Sequence, residues 1–198
     1  AARHPQMRVT RQPRNVGAYP NILTTLHQAR GEVVVSIADD DMAVFPQLLD
    51  YVQRIVDEPA LVMIQAPWLL TDETKDNAII GKFYDFDQEW RFETGQYGNC
   101  LAFVLQNHVF PECWLMRRSA MPSIAGPSPR FTYSFFNMLA HALGQGDVLF
   151  SPEPHLAATA IHKSPGAQVG NSEAMESWDT YRGGLELFAS YARQFNPG

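Results

Sequence analysis

Three consecutive carboxylates, Asp39, Asp40 and Asp41, stand directly behind the apolar, β-branched run Val33-Val34-Val35-Ser36-Ile37. Valine and isoleucine at that density suit a strand buried on both faces. Three acids cannot continue inside such a sheet, because an unpaired buried carboxylate is very costly. The strand is therefore expected to end at Ala38, with the acids projecting from its carboxyl end, where open α/β sheets bind their ligands. Adjacent carboxylates repel unless positive charge lies between them, and a hard divalent cation with oxygen ligands answers that need. The plainer alternative is a solvated loop, with Asp41 capping the helix that follows.

Other residues capable of chemistry are scattered. His162 stands two residues before Ser164, and His141 sits in an apolar stretch where a satisfied core histidine is the expectation. Arg117 and Arg118 close an apolar run; they either reach phosphate or carry ordinary surface charge at a helix start. Asp85, Asp87, Glu89 and Glu93 fall in a segment where Ile79, Ile80, Phe83, Phe86 and Trp90 have roughly helical spacing. An amphipathic helix with a charged outer face is favoured there over a substrate surface.

The elements that must position these groups follow from periodicity. Residues 7–12 read as a short strand ended by Pro13, and residues 18–29 as a helix with Tyr19, Ile22, Leu23 and Leu26 on one face. The acidic strand comes next. Phe45, Leu48, Leu49, Val52, Ile55 and Val56 then define an amphipathic helix that starts near Pro46 and stops before Pro59. Residues 61–65 read as another buried strand. Strand, helix, strand within so short a span is the βαβ unit and implies parallel pairing. Residues 114–118 and 148–150 read as strands, 125–130 as a loop, 133–143 as a buried helix and 155–162 as strand or loop. Met175, Trp178, Leu185 and Phe188 suggest a last helix interrupted at Gly183-Gly184. The fold class is α/β, a mostly parallel sheet flanked by helices.

The chain of 198 residues carries 45% hydrophobic and 18% charged residues, enough to bury a core in one domain. A net charge of −6 and a pI near 5.4 argue against a nucleic-acid binder or a polybasic membrane anchor. Cys100 and Cys113 have no metal-ligand spacing, and two free thiols in a reducing compartment are favoured over a single disulfide. No apolar stretch approaches a membrane span. A cytoplasmic protein is the expectation, with peripheral membrane association left open and the oligomeric state unspecified.

The spacing now becomes specific. Asn15-x-Gly17, Asn21, Ala29-x-Gly31-Glu32, the β-branched strand, Asp39-Asp40-Asp41 and Pro46 together resemble the family 2 glycosyltransferases of GT-A fold. The resemblance extends through residues 115–120, Gly146-Asp147-Val148, Ser151-Pro152-Glu153-Pro154 and His162-x-Ser164. It implies a GT-A-like domain over residues 1–166, incomplete at its N-terminal, nucleotide-binding half, with residues 167–198 as a C-terminal helical extension. It also implies a metal-dependent, inverting transferase that moves a sugar from a nucleotide-sugar donor to a saccharide or other hydroxyl acceptor, with Mg²⁺ or Mn²⁺ as Lewis acid. The donor-binding residues it implies are Asn15, Asp39, Asp40, Arg117 and Arg118. The metal ligands are Asp39, Asp41 and His162. Four residues separate Asp41 from Pro46, one more than in many relatives, so the choice among the three acids stays open by one position.

The chain also departs from the family. Inverting members carry an acidic pair about eleven residues before the glycine matching Gly146, whereas Ser134-Phe135 stands here. Neither can deprotonate a hydroxyl at neutral pH. Asp85, Asp87, Glu89 and Glu93 are the substitutes for that base, and a non-catalytic binding or scaffold module on the same fold is the alternative. A nucleotidyltransferase on a similar fold fits the acids, but this chain carries no glycine-rich, lysine-bearing phosphate loop to support it.

Overall fold

The computed structural model describes residues 8–16, 18–38, 41–122, 134–164 and 178–195. In chain order the elements are α1 (Ala18–Gln28), β1 (Val33–Val35), β2 (Met42–Ala43), α2 (Phe45–Asp57), β3 (Leu61–Gln65) and β4 (Trp68–Asp72). They continue with β5 (Ala78–Lys82), β6 (Trp90–Phe92), α3 (Tyr97–Gln106), β7 (Trp114–Arg117), α4 (Ser134–Leu143), β8 (Asp147–Phe150), β9 (Leu156–Ile161) and α5 (Trp178–Phe195).

The apolar periodicity of α2 does what it should. Leu48, Tyr51 and Ile55 are buried against Leu61, Ile64, Leu115 and Leu149 on one face of a five-stranded sheet. The other face is covered by α3 and α4, whose Phe103 and Leu139 share one core with Met63, Met116, Val148 and Phe150, and α5 packs on those two helices with Phe188 in the same core. Every residue of β3 is buried, as expected of a strand covered on both faces. The last helix runs without interruption through Gly183-Gly184, because Phe188 and its neighbours dock it onto α3 and α4. Packing outweighs the helix cost of two glycines.

The sheet order is β1-β7-β3-β8-β6, and a second sheet has the order β2-β9-β4-β5. The expectation of a mostly parallel sheet is corrected by these pairings. Only β3–β8 and β4–β9 are parallel among the described strands; β1–β7, β3–β7, β6–β8, β2–β9 and β4–β5 are antiparallel. The cause is β7, which arrives late in the chain and inserts between β1 and β3. Those two strands still run the same way, as does β8. Residues 8–12 form no strand. The helix expected over residues 79–91 is likewise absent: β5, an aromatic loop and β6 take its place.

One topological fact positions the site. The three co-directional strands β1, β3 and β8 each lead into a strand of the second sheet. The links are residues 36–41 into β2, Ala66-Pro67 into β4, and residues 151–155 into β9. The carboxyl edge of the first sheet is therefore a seam with the second, and the segment holding Asp41 lies in it. Among the described residues, no helix is long and apolar enough to cross a membrane.

Candidate active site at the seam between the sheets

The antiparallel register of β1 with β7 decides what meets the acidic segment. Val33 faces Arg117 and Val35 faces Leu115. As β1 continues toward Asp41, β7 is therefore followed backward toward Cys113 and Glu112. Glu112 is half-buried, and its carboxyl is pushed up to about 7, first by burial and then by the charge of Asp41. Burial likewise raises the Cys113 thiol, helped by Glu112 and Asp41. Continued past Val35, the same register sets Glu112 opposite Ala38, whose carbonyl accepts from the Asp41 amide, so Glu112 and Cys113 lie on the strand beside the acidic segment.

Asp41 is half-buried and its amide donates to the Ala38 carbonyl at 3.3 Å. It does not cap α2: the N-cap is Val44, with no side-chain cap, and Pro46 occupies the first turn. The plainer reading of Asp41 as a helix cap is thereby removed. Behind it, Met42 and Ala43 pair with Ala157 and Leu156, and the Val44 amide donates to the His155 carbonyl at 2.9 Å. The His155 ring is 0% exposed, has no partner at either nitrogen, and stands edge-on to Tyr51 at 5.6 Å. Burial lowers its pKa to about 4, so it is a neutral wall of the seam. The Tyr51 hydroxyl donates to the Glu153 carbonyl at 2.6 Å, and burial raises its pKa to about 12.

The remaining residues singled out by the sequence are dispersed. Asp39 and Asp40 lie outside the described residues, as does the loop 125–130. Asn15 is exposed ahead of α1. Arg117 and Arg118 lie at the other end of β1. Arg117 donates to Glu32 at 2.8 Å and to the Ile55 and Glu58 carbonyls that end α2, and Arg118 donates to the Gly31 carbonyl at 3.0 Å. Extended chain from Val33 to Ala38 spans roughly 16 Å, so both guanidinium groups serve the amino edge. His162 follows β9 and meets Glu73 at 3.5 Å. By the β2–β9 register it lies four residues beyond the position facing Asp41, roughly 13 Å along the strand. Asp85 pairs with Lys82 at 3.0 Å and Glu89 with Arg54 at 2.5 Å, while Asp87 and Glu93 are exposed. His141 is half-buried in α4 and its pKa is lowered by burial, as a core histidine's should be.

Two features escaped the sequence reading. Glu112 is flanked by Pro111 and Cys113 and follows no motif; only the antiparallel pairing carries it to Asp41. The stacked rings of Trp68 and Phe83 were hidden by the helical reading of residues 79–91. Among the described residues no three His, Cys, Asp or Glu side chains converge as a metal centre. The carboxylate oxygens of Asp41 and Glu112 are donors that suit a hard divalent cation.

No curated protein matches the chain. The family model described as Glycosyl transferase family 2 matches residues 1–124, which run from the start of the chain through β7 and contain Asp39, Asp40, Asp41 and Glu112. With well over half its length matched, on a two-sheet α/β fold whose acidic segment lies at the carboxyl edge, the chain belongs to the family 2 glycosyltransferases.

Proposed function

We propose that this domain transfers a sugar from a nucleotide-sugar to an acceptor hydroxyl at the seam, with Asp39 and Asp41 holding Mg²⁺ or Mn²⁺ against the donor diphosphate. The observation that carries the reading is the place of Asp41: half-buried at the carboxyl edge, not spent on capping α2, and beside the strand that brings Glu112. Bound there, the cation would neutralise charge on the departing diphosphate. Asp40 and the exposed Asn15 complete the donor side. Arg117 and Arg118 are left out of it, since their guanidinium groups hold the opposite edge.

The base is assigned to Glu112. The position matching the family's acidic pair falls at Ser134-Phe135, the start of α4, and offers no carboxylate. Of the substitutes, Asp85 and Glu89 are held in ion pairs with Lys82 and Arg54. Glu112 instead sits at the seam. Its carboxylate would accept the acceptor's hydroxyl proton as that oxygen bonds to the anomeric carbon. The bond from that carbon to the diphosphate oxygen breaks at the same time, its electron pair leaving with the nucleoside diphosphate. Displacement of this kind inverts the anomeric centre.

Calorimetric titration of Mn²⁺ with UDP, GDP and dTDP tests the donor site. At least one nucleotide should bind in a metal-dependent way, and Asp41→Ala should abolish that binding. Glu112→Gln should keep the nucleotide affinity while slowing transfer about a hundredfold or more. Nucleotide binding with neither transfer nor hydrolysis in the wild type would instead identify a binding module. Absence of metal-dependent binding altogether would remove the transferase reading.

A further inference from the structure

The row of residues across the second sheet that begins beside Asp41 ends on an exposed aromatic face. Ala43 pairs with Leu156 and Leu156 with Trp68. The Phe83 amide donates to the Trp68 carbonyl at 3.1 Å, so Phe83 is next in the row. Three strand spacings place it roughly 14 Å from Ala43. The two rings are stacked, with centroids 4.3 Å apart and planes 12° from parallel. Trp68 is 7% exposed and Phe83 49%, so Trp68 is the buried base and Phe83 the outward face.

This stack is held from three sides. Tyr84 stands edge-on to Trp68 at 5.7 Å and accepts a hydrogen bond from buried Gln65 at 2.9 Å. Phe110 stands edge-on to Phe83 at 6.0 Å, and it lies two residues before Glu112. Lys82, next to Phe83, donates to Asp85 at 3.0 Å and to the Pro152 carbonyl at 3.1 Å, which ties the platform to the link between β8 and β9. The result is a rigid apolar face with a charged pair at its rim, set flush with the seam. A pyranose has a C–H face for the Phe83 ring and hydroxyls that can donate to Asp85, whose carboxylate stays largely exposed beside Lys82.

We propose that Phe83, backed by Trp68 and flanked by Phe110, Lys82 and Asp85, is a subsite that binds a sugar ring of a saccharide acceptor. The assignment rests on the transferase reading above, and it deepens that reading by naming the acceptor as a saccharide longer than one ring. The side of the seam is set by Phe110, which joins the platform to the carboxyl that takes the acceptor's proton. Phe83 is a positioning residue: it touches the acceptor remote from the reacting atoms.

Maltotetraose, cellotetraose and chitotetraose serve as probes, with binding followed by ligand-observed saturation-transfer NMR. At least one should bind the wild type saturably. Phe83→Ala should weaken that binding about tenfold, and Phe83→Tyr should restore it. Because Phe83 is half-exposed, both variants should melt within a few degrees of the wild type, roughly what a surface substitution costs. Nucleotide binding with Mn²⁺ should be unchanged in Phe83→Ala. Failure of all three saccharides to bind, or equal affinity in Phe83→Ala, overturns the subsite. A fall in nucleotide affinity in Phe83→Ala overturns it too, by assigning the platform to the nucleobase. Loss of the donor reading would show separately, as saccharide binding that depends on Phe83 in a protein that binds no nucleotide.

Discussion

His155 and Glu112 stand on either side of the acidic segment with opposite electrostatic penalties. Each is disfavoured in its charged form by burial. The His155 pKa falls from 6.5 to about 4 in the folded state, so the unfolded chain takes up the extra proton first. Stability is then lost as pH drops through that window, by about 3 kcal/mol in all for one fully buried imidazole. Glu112 moves the other way, from 4.5 to about 7. There the folded chain holds the extra proton, and stability is lost as pH rises through the window. The two effects offset each other in the wild type. Replacing either one should expose the other: His155→Phe is expected to lose stability as pH rises from about 4.5 to 7, and Glu112→Gln as pH falls from about 6.5 to 4. Urea unfolding across that range, with a chelator present, reads both slopes. Identical slopes in the two variants would refute the assignment.

At the level of elements, β3 meets its neighbours too closely for any added atom at one point. A Cβ on Gly146 would lie 2.4 Å from the Val62 side chain and 2.6 Å from the Ala60 carbonyl. The backbone that leads into β8 can approach the start of β3 only because that position is glycine, and Asp147 donates to the same Ala60 carbonyl at 2.7 Å. Gly146→Ala should cost about 1–3 kcal/mol, read as a lower urea midpoint at unchanged slope. Arg117 makes a parallel case at the end of α2, where it ties the last carbonyls to Glu32 beside β1. Arg117→Ala should lower the melting temperature by several degrees, about 2–4 °C per kcal/mol at this size. Nucleotide affinity should stay the same, where a phosphate contact would have made it fall.

These elements also show what a reader of the sequence can and cannot recover. α2 and β3 were legible because each carries its own period and its own stops at Pro46, Pro59 and Pro67, whereas β1 was legible as a strand but ends at Val35, three residues before Ala38. The strand pairing was not. Nothing in residues 114–117 says that they insert between two earlier strands, and so nothing could announce Glu112 as a neighbour of Asp41. Residues 79–91 misled for a definite reason: apolar residues that pack edge-on against one another around a stacked pair can mimic helical spacing over a dozen positions. Arg117 and Arg118 read as a basic segment but belong to helix anchoring, a distinction that depends on which end of β1 they face.

For the molecule as a whole, the acidic segment is legible as a site while its completion is not, because completion is a property of the joined sheets. The family model covers residues 1–124, yet β8 and β9, which the first and second sheets require beside β3 and β4, lie beyond that stretch. The fold is therefore finished by strands from outside the matched region. The three links between the sheets carry a mechanical consequence. Layers joined through one loop can twist and slide freely, but layers stitched three times along one edge can only hinge about that edge. Heat should therefore melt both sheets in a single step, with calorimetric and van't Hoff enthalpies equal. A backbone cut in any one link should leave a nicked protein that still holds together, since the other two continue to fasten the layers.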